Sequence, residues 1–124
     1  MISADTSSVI NFLKGETTPD AEKVAKALAN DSLTLAPIVV TELLSFPQGA
    51  SQARPILTKL QILDLRPGYW NRAGDNRRLI LQKGFRARTA DALIAQCCID
   101  ADVPLIFGDT DFRHYVNLCG LKRA

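Results

Sequence analysis

The chain has 124 residues, enough for one domain with a single sizeable core. Apolar residues make up 47%, charged residues 23%, and the net charge is only +2, which argues against a disordered chain and by itself says little about partners. No apolar run reaches membrane-spanning length, and MISADTSSV lacks the basic-then-apolar order of an export signal, so a soluble, cytoplasmic protein is expected.

Met1 to Ala4 predicts a short first strand, and Asp5-Thr6-Ser7-Ser8 supplies capping residues. A helix follows through Val9, Ile10, Phe12 and Leu13, stopping at Gly15. Pro19 opens a second helix with Val24, Ala27 and Leu28 as its apolar stripe. Leu33 to Leu35 reads as a strand, and Pro37 to Phe46 as a helix ended by Pro47. A helix near Ala50 to Lys59 leads to a strand at Ile62 to Leu65. A longer helix, from about Gly68 to Gln82, is closed by Gly84. Thr89 is expected to cap a helix over Ala90 to Ala101. Pro104 to Phe107 is an apolar strand, Gly108 to Asp111 a turn, Phe112 to Val116 a short helical piece, and Leu118 to Lys122 a final edge strand. Alternating short strands and helices predict an α/β fold with a mainly parallel sheet.

The three cysteines, Cys97, Cys98 and Cys119, show no zinc-ligand spacing and read as reduced, mostly buried residues. His114 is the lone histidine, so no Ser/His/Asp set competes for catalysis. The acids are more informative: ten are Asp and three are Glu. Each has an ordinary account when taken alone, as a cap, a turn residue or a salt-bridge partner. As a set they are harder to dismiss. Asp5 directly follows the first strand, and Asp109 and Asp111 follow the strand at Leu105 to Phe107. In open parallel sheets, ligands bind beyond the carboxyl ends of strands. Glu42 shares a helix face with Ile38 and Phe46, which looks core-directed. Asp91 lies in the first turn of its helix on the face of Ile94, Ala95 and Cys98.

Two carboxylates about 4 Å apart repel by on the order of 4 kcal/mol at an effective dielectric near 20. A converging set therefore takes up protons or binds a cation. Carboxylate oxygens suit Mg2+ or Mn2+, and the chemistry that follows is hydrolysis of a phosphodiester. Arg72, Arg86, Arg88 and Arg113 are candidate contacts to the phosphates of a polyanionic substrate such as a nucleic acid. Tyr69 and Trp70 are expected in a core or a dimer interface rather than as base-stacking residues.

Four ordered segments, Asp5-Thr6-Ser7, Thr41-Glu42-Leu43-Leu44, Thr89-Ala90-Asp91-Ala92-Leu93-Ile94-Ala95 and Gly108-Asp109-Thr110-Asp111-Phe112, resemble the PIN-domain family. Within it the chain is similar to the VapC-type ribonuclease toxins of type II toxin–antitoxin modules. The resemblance spans essentially the whole chain and implies a single PIN-like nuclease domain over residues 1–124, with a three-layer α/β/α sandwich. It implies Mg2+ or Mn2+ held by Asp5, Asp91 and Asp109, with Glu42 completing a catalytic acidic pocket. Thr6 would support the site by hydrogen bonding, and Asp111 would be an additional acid. A homodimer and a cognate antitoxin are implied as partners. Phe107 departs from the family pattern, which places Thr or Ser two residues before Asp109. That loss bears on how Asp5 is oriented. A PIN nuclease of RNA processing without an antitoxin, or a non-catalytic PIN-like module, is an alternative. A phosphoacceptor receiver fits less well, because Asp5 lacks an adjacent acid and Phe107-Gly108 stands where a strand-end Lys is needed.

Overall fold

Parallel strands cannot be joined by a tight hairpin, so each needs a crossover, and here helices supply it. The computed structural model describes all 124 residues. In chain order it runs β1 (Ile2–Ala4), α1 (Thr6–Leu13), α2 (Pro19–Ala29), β2 (Leu33–Leu35), α3 (Pro37–Ser45), α4 (Ala50–Leu57), β3 (Gln61–Ile62), α5 (Tyr69–Gln82), α6 (Thr89–Ala101), β4 (Leu105–Ile106), a 3-10 turn (Thr110–Phe112) and α7 (Arg113–Cys119). The four strands form one parallel sheet in the order β3-β2-β1-β4. Helices flank it, giving the expected α/β/α sandwich.

Strands buried on both faces read as near-continuous apolar runs. Leu33, Thr34 and Leu35 are all buried, as are Leu105 and Ile106. Thr34 satisfies its hydroxyl by donating to the Gln61 carbonyl at 2.6 Å. The core is one cluster that joins sheet residues such as Ala4, Leu35 and Ile106 to Val24, Val39, Ile80, Ile94 and Tyr115 on the helices.

The chain leaves β1 toward β2 and β3 on one side, then returns to place β4 on the other. The reversal falls between β1 and β4, in the register Ser3 to Leu105 and Ala4 to Ile106. Loops leaving adjacent strand ends in opposite directions open a crevice at such a point. Asp5 leaves β1 there, its amide donating to the Ile106 carbonyl at 3.1 Å. Asp109 leaves β4 at the same rim.

Several local expectations shift. The third strand is Gln61–Ile62 rather than Ile62 to Leu65, because Leu35 and Thr34 set its register. Thr89 is the first residue of α6, not its cap; Arg88 takes the cap position and no side chain caps it. Leu118 and Cys119 belong to α7. The anticipated last strand is reduced to a bridge between Leu105 and Arg123, with Leu105 donating to the Lys122 carbonyl and Ala124 to that of Leu105, each at 2.9 Å. Gly120 causes this break: its φ of +83° ends α7 in the left-handed region. On α3 the buried stripe is Val39 and Leu43, while Ile38, Glu42 and Phe46 lie half-buried at its edge.

A candidate carboxylate metal site

Asp5 is nearly fully buried and does two jobs. Its Oδ1 accepts from the Ser8 amide at 2.9 Å, capping α1. Burial pushes its carboxyl up to about 6; hydrogen bonding to Ser8 opposes this, and the charges of Asp20 and Asp109 add to the rise. Asp91 sits in the first turn of α6, where the helix dipole favours an anion. Its Oδ2 is buried without any hydrogen-bond partner. Burial again pushes its carboxyl up to about 6. The charge of Asp109 adds, Arg88 opposes, and Asp5 and Asp111 add further.

Asp109 caps the 3-10 turn, its Oδ1 accepting from the Asp111 amide at 2.9 Å. That short turn folds Asp111 back, so that Asp91, Asp109 and Asp111 each place a carboxylate oxygen within 4.8 Å of the others. Asp111, expected only as an additional acid, is thus a full member of the trio. Asp5 stands beside this trio, within reach of the charges on Asp109 and Asp91. Glu42 is held by Thr6, whose hydroxyl donates to Oε1 at 2.6 Å, so Thr6 links the start of α1 to α3.

The residues present fit a divalent cation. Three carboxylates gathered this closely repel unless neutralised, and a buried oxygen without a donor is a costly defect unless a ligand completes it. An all-oxygen donor set suits a hard cation.

The four arginines separate. Arg86 points Nε at Asp111 Oδ2 from 4.0 Å, and Arg88 tempers the Asp91 carboxyl. Arg113 lines a shallow hollow with Phe85, His114 and Asn117. Arg72 is committed elsewhere: its Nε and Nη2 grip Asp100 at 3.0 and 2.6 Å, and its Nη1 donates to the Pro67 carbonyl at 2.8 Å. It therefore joins α5 to α6, away from the acids.

Tyr69 and Trp70 divide as well. Tyr69 is buried and donates to the Leu93 carbonyl at 2.6 Å, whereas Trp70 is 64% exposed. Phe107 is buried, tilted against Phe112, with the Arg123 guanidinium 4.3 Å above its ring. No hydroxyl stands at that position, and the hydrogen bond to the Asp5 carboxylate comes from the Ser8 amide. Sequence reasoning passed over Asp20. It is a buried carboxylate whose charge reaches Asp5 and whose Oδ2 accepts from Asn11 Nδ2 at 3.1 Å. A Pro-Asp pair at a helix start gives no hint of this.

Taken together, these features define an α/β protein with an acidic pocket at the switch point of a parallel sheet. The sequence profile of the PIN domain matches residues 2–118, and the chain belongs to that family of nucleases. Among solved structures, it resembles VapBC2 from Rickettsia felis bound to a promoter DNA fragment, with TM-score 0.76, 20% identity and 100% and 98% of the two chains covered. It also resembles DNA-bound VapBC from Salmonella typhimurium, with TM-score 0.72, 16% identity and 100% and 98% coverage. A toxin–antitoxin complex from Klebsiella pneumoniae gives TM-score 0.66, 15% identity and 98% and 95% coverage. No curated protein matches the chain. No helix is long and apolar enough to cross a membrane.

Proposed function

We propose that residues 1–124 form one nuclease domain that cleaves RNA internally with the help of Mg2+ or Mn2+, and that it is the toxin of a toxin–antitoxin pair. The observation that carries the reading is the convergence of Asp91, Asp109 and Asp111, with a buried Asp91 oxygen lacking any donor. Asp91 and Asp109 would hold the cation together with Asp5, and Asp111 would add a further oxygen. When bound, the cation supplies an acidified water and neutralises charge building on the phosphate.

The remaining work falls to the protein. α6 and the 3-10 turn set the carboxylates before substrate arrives, so little reorganisation is needed. Thr6 fixes Glu42 on α3, which would complete the pocket. Arg86 and Arg88 supply the cations that a polyanion requires next to an acidic centre. Arg113 is free to contact RNA further along the surface, whereas Arg72 is withdrawn from that role by Asp100.

The antitoxin partner rests on fold similarity to three toxin–antitoxin complexes that cover nearly the whole chain. A homodimer is part of the same proposal. The test is cleavage of RNA by purified protein. Activity is expected with Mg2+ or Mn2+, loss in EDTA with recovery on adding the ion back, and loss in Asp5→Asn and Asp91→Asn with the fold retained. Full activity in EDTA, or cleavage by either variant at the unaltered rate, contradicts the reading.

A further inference from the structure

Gly108 precedes Asp109, and its backbone is not in the left-handed region that favours glycine. What its missing side chain leaves room for is the Asp20 carboxylate. A Cβ at this position would meet Asp20 Oδ2 at 3.2 Å and Asp20 Cγ at 3.3 Å. The Asp20 carboxylate therefore lies against the Gly108 backbone, in the space a side chain would take. Gly108 itself is exposed, so nothing on its outer side demands a small residue.

Asp20 is the second residue of α2, 8% exposed, with Asn11 of α1 donating to its Oδ2 at 3.1 Å. Ser8 of α1 is fully buried, its hydroxyl without a hydrogen-bond partner. Ser8 gives its amide to Asp5. One buried carboxylate thus touches both arms of the crevice. Through Asn11 it meets the helix that Asp5 caps, and through Gly108 it meets the turn that carries Asp109. Such a group is expensive to bury unless hydrogen bonded, and here it is.

We infer that Asp20 is a positioning residue of the carboxylate site, setting the separation of Asp5 and Asp109 by wedging between Asn11 of α1 and the Gly108 backbone. The inference rests on the metal-site reading above. Outer contacts of this kind typically change metal affinity or activity about 10- to 100-fold when removed.

Mn2+ affinity, measured by titration calorimetry on the full chain, tests it, with circular dichroism to check folding. Gly108→Ala places a methyl group against the carboxylate and should weaken Mn2+ binding about tenfold, as should Asp20→Ala. The double variant should bind no worse than the weaker single, because the new methyl enters the space that Asp20 vacates. Asp20→Asn keeps the shape and an oxygen for Asn11, so it should stay within roughly threefold of the unaltered protein, a rescue that loss of folding would not give. Gly108→Ala lies at an exposed turn and keeps the test decisive should Asp20→Ala fail to fold. Unchanged affinity in Gly108→Ala, or losses that simply add in the double variant, would overturn the role of Asp20 while leaving the metal site intact. Failure of the unaltered protein to bind Mn2+ would overturn both.

Discussion

Asp91 carries a charge that the protein alone compensates only in part, through Arg88. Its Oδ2 has no donor, and its carboxyl, like that of Asp5, is pushed up to about 6. For a carboxyl raised above its ordinary 3.8, the folded state holds more protons than the unfolded one between the two values. Stability then falls as pH rises through that window. The groups with lowered values, Asp20 and Asp100, lose their contribution only at lower pH. Protein freed of divalent ions should therefore be more stable at pH 5 than at pH 7, by on the order of 2 kcal/mol, read from denaturant unfolding. A flat profile between those values would contradict the assignment. By the same logic Asp91→Asn should raise the Tm of ion-free protein at pH 7 while abolishing cleavage. A lowered Tm would show that Asp91 is held by something other than a missing cation. Addition of Mn2+ at pH 7 should raise the Tm of the unaltered protein with concentration and leave Asp91→Asn unmoved. At this scale the sequence pointed to Asp91, Asp109 and Asp111, which the structure gathers, because strand ends and inward helix positions are readable from periodicity. It did not convey Asp20, nor the rank of Asp111, because both depend on contacts made across distant segments.

The elements show how the site is kept in place. α6 presents Asp91 at its first turn and Asp100 near its last. The far end is clamped to α5: Arg72 holds Asp100 in a two-pronged pair, Gln96 Nε2 donates to Asp100 Oδ1 at 2.8 Å, and Asn76 Nδ2 donates to Gln96 Oε1 at 2.7 Å. Gln96 is almost fully buried, so each of its bonds replaces lost water. Arg72→Ala should consequently lower the Tm by several degrees, whereas Arg88→Ala should leave the Tm alone and raise the KM for RNA. If Arg72→Ala instead raised KM with no loss of Tm, its role would be in substrate contact after all. Helices were legible here because Pro19, Pro37 and Gly84 punctuate the chain where the elements start and stop. Strand limits were less so. Two- and three-residue strands carry almost no period of their own, and the pairing of Gln61 with Thr34 decides where β3 lies.

Across the whole molecule, function follows from topology. Strand order β3-β2-β1-β4 reverses between β1 and β4, so the chain delivers acids from its first and last strands, some hundred residues apart, to one crevice. Alternation of strands and helices made the parallel sheet foreseeable, but the order of strands within it is a long-range property that local patterns do not encode. The most direct measurement is X-ray anomalous scattering from a crystal soaked in Mn2+. The account predicts a peak among the carboxylates of Asp91, Asp109 and Asp111, lost in crystals of Asp91→Asn. A fully soaked crystal with no peak there, or with Mn2+ bound only at other surface acids, would contradict it.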